Sequence, residues 1–367
     1  MYCKKIKVRD FRNIEDACVC FDEGVNILIG ENAQGKTNLL EAIFYASVGK
    51  SFREGHASEI IRFGCPFAEI DIDFEDSSRE QNIKMQIFRD RQRKVEKNHL
   101  KVERMSEIVG SFRAVLFAPE HLSLIKDGPA MRRNYLDIAI SRLYPLYMKT
   151  LQRYNYILKQ RNTLIKSAYA DREAFDMTVD LWSEQLAHEA AVISKYRVEF
   201  IKRVEVYVKK CFFDMTGERE QISICYLGSS KNEADEYLDT EKIKERYVEL
   251  LSSSHDREIS AGATLFGIHK DDIEIKLNGK QARLYASQGQ QRSLALALKI
   301  AEGEICKDEF GDHPVLLLDD VLSELDALRR KYLLDRISHK QVIMTSCESI
   351  ESAGAKIIRV ENGKYFE

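Results

Sequence analysis

Two short stretches of this chain carry side chains that could act on a phosphate ester. Gly30-Glu31-Asn32-Ala33-Gln34-Gly35-Lys36-Thr37 matches the spacing G-x-x-x-x-G-K-[ST]. In that pattern backbone N–H groups cradle an anion, a lysine reaches its outer phosphates and a hydroxyl meets Mg2+. Val315-Leu316-Leu317-Leu318-Asp319-Asp320 is an apolar run ending in two carboxylates. One strand-end carboxylate can hold the metal, and its neighbour can orient or deprotonate an attacking water. Together they predict ATP hydrolysis with Mg2+. The two stretches lie near opposite ends of the chain, so something large is inserted into one nucleotide fold.

The elements around the loop suit the chemistry. Gly24–Ile29 reads as a short buried strand and Asn38–Tyr45 as the start of a helix. A strand, a glycine loop and a helix N-terminus form an anion site. Gly30 and Gly35 permit the tight path, and Glu31, Asn32, Ala33, Gln34 and Asn38 complete the cradle. Lys36 reaches the β- and γ-phosphates, and Thr37 and Asp319 are the metal partners. Asp320 is the expected general base; the competing reading is a turn carboxylate at a strand end. ABC-type ATPases mostly have Glu at that position, so the shorter Asp predicts slow hydrolysis.

A third motif narrows the class. Ser287-Gln288-Gly289-Gln290-Gln291-Arg292 leads into a strong helix former, Ser293–Ala301. It precedes the acidic strand as the signature of ABC ATPases does, with Ser287, Gly289 and Gln290 as nucleotide contacts. Ser323-Glu324-Leu325-Asp326 then occupies the D-loop position. Gln341–Ser346 reads as the next strand, ending in Thr345-Ser346 where many such proteins have a switch histidine. A signature of this kind closes over the nucleotide held by a second head, making ATP the glue of a homodimer. Ser287–Arg292 taken alone could also be an ordinary helix cap.

These residues resemble the RecF family, bacterial recombination mediators related to SMC-type ATPases. The resemblance covers nearly the whole chain. It rests on Phe11-Arg12-Asn13, Gly30–Ala42, Gly49–Arg53, Phe117–Glu120, Arg132-Arg133, Tyr135–Asp137, Gly267–Asp272, Ser287–Arg292 and Leu316–Asp326. Ile268-His269-Lys270 departs mildly from the family's usual Pro-His-Arg. The resemblance implies an ABC-type α/β ATPase head with an inserted antiparallel helical arm. It implies a weak, DNA-stimulated ATPase that dimerises head to head on DNA, at gaps or single/double-strand junctions, and is reset by slow hydrolysis. It further implies RecR, with RecO, as partners, RecA loading, and a place in DNA repair, replication and the SOS response. Arg12 would approach the nucleotide phosphates by the same carry-over; the alternative is a solvated loop arginine.

Composition sets limits. The chain has 367 residues and a net charge of −3, room for two domains and a sizeable core. It shows neither an apolar leader nor a run of membrane-spanning length, so a cytoplasmic protein with no membrane partner is expected. Eight cysteines are scattered without a C-x-x-C pair, which predicts reduced thiols and no zinc site. The slight negative charge means that DNA binding must come from local patches. Candidates are Arg89, Arg91, Arg93, Lys94, Lys97 and Lys101 in a predicted hairpin, and Lys4, Lys5, Lys7 and Arg9 on a strand. A merely solvated charged face competes for each.

Residues 1–121 read as the first part of the head, 122–217 as the arm and 218–367 as the rest of the head. Ile70–Glu75 and Ile83–Phe88 alternate as half-buried strands do. Leu146–Lys166 and Thr178–Phe212 read as long helices joined near Ala170–Glu173, the second with an apolar stripe broken by Arg197. About thirty-five helical residues span roughly 50 Å. A compact helical subdomain is the alternative to an arm. Two other functions compete. A transporter subunit lacks such an insertion and usually carries a switch histidine, and a nuclease of the overcoming-lysogenisation type needs more chain after Asp326.

Overall fold

Val25–Ile29, Val315–Asp319 and Val342–Ser346 are almost wholly apolar. Such strands are stable only with both faces covered, as in a parallel sheet between helices. The computed structural model, which describes residues 1–53, 57–216, 220–232, 235–347 and 354–366, puts them at the centre of one sheet. Its order is Lys364–Phe366, Lys356–Glu361, Val25–Ile29, Val342–Ser346, Val315–Asp319, Ala114–Phe117. All neighbours are parallel except the first pair. Asn26, fully buried, anchors the start of the phosphate-loop strand. Its side chain accepts from the Asp22 N–H at 2.8 Å and donates to the Asp22 and Gly24 carbonyls.

The helix after the phosphate loop, Lys36–Val48, is buried at every position from Leu39 onward. A helix apolar on all sides belongs inside a fold. A second sheet, antiparallel throughout, orders Ile14–Cys20, Tyr2–Phe11, Phe67–Glu75, Glu80–Phe88, Lys94–Lys97 and Leu100–Val102. The alternation read in Ile70–Glu75 is real: Ala68, Ile70, Ile72 and Phe74 all face inward.

The chain divides into two compact units. The first comprises Met1–Ser123, Lys210–Glu218 and Gln288–Glu367; the second comprises Leu124–Lys209 and Arg219–Ser287. Residues 218–367, expected as one part of the head, are divided between the two units. Ile222–Leu227 instead pairs with Asp272–Leu277, and that strand with Lys280–Gln281, in a separate three-stranded sheet. Strand propensity in Gln221–Leu227 was legible, but not which sheet it joins.

The helical pair runs Pro145–Ser167 and Arg172–Thr216. The second helix starts six residues earlier than Thr178, because Asp171 caps it: its carboxylate accepts from the Ala174 N–H at 3.0 Å. Phe175 is then buried with Ile165, Ala168, Val179 and Ile259. At 45 residues the helix is about 68 Å long. The two helices are antiparallel, since Arg161 meets Ser183 and Tyr147 meets Arg197.

Arg197, which seemed to break the apolar stripe, is buried and fully employed. It binds Asp137 at 2.8 Å, the Ile268 carbonyl at 2.9 Å and the Tyr147 hydroxyl at 3.1 Å. One level along the pair, Arg161 donates to Glu258 at 2.6 Å, to Ser183 at 3.0 Å and to Thr264 at 2.9 Å, and both charges are 0% exposed. Removing one member of a buried pair strands the other charge. Arg161→Met should therefore destabilise the second unit by about 3–5 kcal/mol. Trp182, the single tryptophan, lies in that unit and should report an earlier urea midpoint by its fluorescence. Arg161→Met/Glu258→Leu should recover most of the loss.

Candidate nucleotide-binding site

Parallel register assembles the site. Leu318 pairs with Met344 and Asp319 with Thr345, while Thr345 pairs with Leu28 and Ser346 with Ile29. The ends of three strands remote in sequence are thus level, with the phosphate loop starting beside them. Asp319 Oδ1 accepts from the Thr37 hydroxyl at 2.8 Å and from the Thr345 hydroxyl at 2.9 Å. Thr345 Oγ1 also accepts from the Asp320 N–H at 2.8 Å. A single threonine therefore holds both acidic positions.

The loop has the conformation an anion needs. Gly35 has φ +115°, a value that favours glycine. Gly30 meets a different constraint, for a Cβ there would lie 2.3 Å from the Val360 carbonyl oxygen. Lys36 is nearly buried, and its ammonium donates to the Gly30 and Glu31 carbonyls, the latter at 2.8 Å. Asp320 takes a left-handed turn, φ +49°, which ends the strand.

These groups line a cavity of about 350 Å³. Its wall includes every residue from Glu31 to Asn38, together with Asp319, Asp320 and Thr345. Gly30 lines a neighbouring cavity instead. Arg53, Pro119, Glu120 and Cys347 are on the wall too, none of which was singled out from the sequence as a site residue. Arg53 and Glu120 do stand in stretches that resemble the family, Gly49–Arg53 and Phe117–Glu120, which was the available signal. Arg53 donates to Asn38 Oδ1 at 2.9 Å and lies 3.3 Å from Glu41.

The residues fit ATP and one metal ion. Lys36 and the loop backbone supply the donors for phosphate. Among the described residues no group of three or more His, Cys, Asp or Glu side chains gathers around a metal position. Thr37 and Asp319 are adjacent, which suits a Mg2+ that completes its shell with waters and phosphate oxygens. Burial raises the proton affinity of Asp319, and its hydrogen bonds to Thr37 and Thr345 oppose that rise.

Arg12 is not among the residues on the cavity wall. Its guanidinium is held by the buried Glu41, at 3.1 and 2.7 Å, and by the Glu59 carbonyl at 3.0 Å. Gly289 and Gln290 are absent from the wall as well, and Ser287 falls at the end of the second unit. The segment after Ser287 is nevertheless tied to the D-loop position. Arg292 donates to the Glu324 carbonyl at 2.6 Å, and Arg329 donates to Ser293 Oγ at 2.7 Å.

Part of the basic residues is engaged structurally. Arg89 donates to the Cys65, Ile61 and Arg62 carbonyls, Arg93 to Tyr45 and Gly49, and Lys97 to Ser111 at 2.7 Å. Lys4 pairs with Glu75 and Glu80. Arg91 stacks 3.8 Å over the Phe88 ring.

A family model described as the RecF/RecN/SMC N terminal domain matches residues 2–363. The chain is 37% identical over 373 residues to the DNA replication and repair protein RecF of Clostridium tetani, covering 100% of both chains. It is 38% identical over 376 residues to the RecF of Bacillus pumilus, again covering 100% of both. The chain belongs to the RecF family. A solved structure of the recombination mediator protein RecF with ATPrS in the RecFOR pathway superposes with a TM-score of 0.93 at 34% identity, covering 99% of this chain and 97% of that one. An Smc head domain from Pyrococcus furiosus, at 18% identity and a TM-score of 0.55 over 99% of this chain and 95% of that one, shares the fold. The expected ABC-type head with a helical insertion is therefore the fold of this RecF-family member. No helix among the described residues is long and apolar enough to cross a membrane.

The Asp319 environment predicts a pH effect. With Mg2+ held at Asp319, its raised proton affinity would let protons compete with the metal at higher pH than at an ordinary aspartate. Thr345→Val removes a hydrogen bond that opposes the rise, so competition should begin at still higher pH. The Mg2+ concentration for half-maximal ATP hydrolysis, titrated at several pH values, should climb earlier on acidification in Thr345→Val. Thr345→Ser, which keeps the hydroxyl, should follow the parent protein.

Proposed function

We propose that this protein is an ATP-dependent DNA-binding protein of recombinational repair and replication, in which ATP joins two heads on DNA and slow hydrolysis releases them. The observation that carries the reading is the meeting of Lys36, Thr37, Asp319 and Asp320 around one cavity whose wall does not include Gly289 or Gln290. A site complete for phosphate binding, but without the signature, suits closure by a second copy.

The chemistry follows from the side chains. Loop N–H groups and the Lys36 ammonium bind the phosphates and stabilise charge that develops on the γ-phosphoryl group. Mg2+, held by Thr37 and Asp319, would neutralise charge on the phosphate oxygens. Asp320 accepts a proton from the attacking water as its oxygen bonds to phosphorus and the bond to the ADP oxygen breaks. Ser287, Gly289 and Gln290 of the second head cap the nucleotide. Arg12 is proposed to act through Glu41 on the helix that carries Lys36 and Thr37 rather than by touching phosphate.

Membership of the RecF family and the names of its relatives support DNA as the partner. Gaps or single/double-strand junctions are the proposed structures, with DNA stimulating a weak ATPase. RecR with RecO, RecA loading, the SOS response and a cytoplasmic location belong to the same reading.

Ser287→Arg puts a bulky group where two heads must close. ATP should bind its monomer almost normally in equilibrium titration, whereas ATP-dependent dimerisation in sedimentation and hydrolysis should both be lost. Mixed with Lys36→Ala chains it should regain partial ATP-dependent association, because one composite site is then intact. Dimerisation of Ser287→Arg alone at the parent level would refute closure in trans. Asp320→Asn should keep ATP binding and give a long-lived dimer, with turnover reduced by about 100-fold, within the range of a lost general base.

A further inference from the structure

An anion cradle works only if its peptide N–H groups point at the anion. In a trans peptide the N–H points opposite to the preceding C=O, and the described backbone contains no cis bond. Whatever holds the carbonyls of residues 33, 34 and 35 therefore aims the N–H groups of Gln34, Gly35 and Lys36.

Each of those carbonyls has a donor from outside the loop. The Ala33 oxygen accepts from Asn13 Nδ2 at 3.3 Å and the Gln34 oxygen from the Gly363 N–H at 2.8 Å, while the Gly35 oxygen accepts from the Tyr365 hydroxyl at 3.0 Å beside the following helix's own Leu39 N–H at 3.1 Å. None of these donor residues lines the phosphate cavity. The Gln34 and Gly35 carbonyls are thus bonded to the hairpin formed by Lys356–Glu361 and Lys364–Phe366, and the Ala33 carbonyl to the turn at Asn13. The Gln34 side chain is held as well, accepting through Oε1 from the Asn362 N–H.

The hairpin tip is shaped for this task. Lys356–Glu361 and Lys364–Phe366 are joined by Asn362 and Gly363 at φ +49° and +74°, the two-residue turn that Asn-Gly favours. A Cβ at position 363 would lie 2.8 Å from the Asn13 carbonyl oxygen, so the tip packs against the Asn13 turn, whose side chain holds Ala33, only as glycine. Tyr365 is largely buried, and burial raises its hydroxyl's pKa, keeping it a neutral donor.

We infer that the C-terminal hairpin is the positioning element of the phosphate loop, with Tyr365 and the Asn362-Gly363 turn presetting the N–H groups that receive the nucleotide. The inference rests on ATP occupying the cavity. It extends that reading to residues on no cavity wall facing the phosphates.

Tyr365→Phe removes one donor and keeps the ring. Its dissociation constant for MgATP, measured by calorimetry, should rise about fivefold, the scale of one hydrogen bond. KM should rise in parallel, while kcat falls by less than about twofold. The melting temperature without nucleotide should hold. Tyr365→Phe/Gln34→Ala should bind more weakly than either single variant. Parent-level MgATP affinity in Tyr365→Phe overturns the inference, as does a loss of affinity matched by a lower nucleotide-free melting temperature. Failure of the parent protein to bind MgATP would instead overturn the nucleotide assignment itself.

Discussion

The head depends on one buried carboxylate. Asp319 is 7% exposed, and an ionised group so placed must be hydrogen-bonded. Its two hydroxyl donors come from the helix after the phosphate loop and from the strand between the two motif strands. The helix that supplies Thr37 is remote in sequence from Asp319, whereas the strand that supplies Thr345 follows it after one intervening α-helix. The sheet order and the parallel register are what make the carboxylate tolerable, and the same bonds leave it beside the phosphate loop where a metal ion is needed. Structural satisfaction and catalytic placement are here one arrangement.

Thr345 explains why a histidine is dispensable at that position in this fold. Its hydroxyl donates to Asp319 and accepts from the Asp320 N–H, so it links the two acidic positions at the strand end through one atom. A threonine cannot carry a proton as imidazole does. The arrangement favours a fixed geometry over a charge switch.

The second unit solves a different problem. A long helical pair could have been sealed by apolar residues alone, yet it buries Arg161 and Arg197 with carboxylates and hydroxyls around each. Buried ion pairs of this kind contribute little net stability. They do penalise slippage, because moving either helix by one turn would leave charges unpaired. Register between Pro145–Ser167 and Arg172–Thr216 is specified by these two levels.

The amino-acid sequence by itself marked most of the residues that gather at the cavity, because local spacing is enough to write a phosphate loop and an acidic strand end. It also determined the helical pair, whose apolar period survives in Leu186, Ile193, Phe200 and Val208. Tertiary structure decided what depends on pairing between distant segments. Gln221–Leu227 reads equally well as a strand of either sheet, and only its partner Asp272–Leu277 assigns it to the second unit. Arg12, expected near the phosphates, has its guanidinium held by Glu41 of the helix after the phosphate loop, a pairing that no sequence spacing announces. Arg53 and Glu120 have no spacing that marks them, since they reach the cavity from separate loops. Asn362-Gly363 spells a tight turn in sequence, but its contact with Gln34 exists because Lys356–Glu361 runs beside Val25–Ile29. Backbone hydrogen bonds between such remote segments carry no sequence pattern, so that part of the site could be read only from the fold.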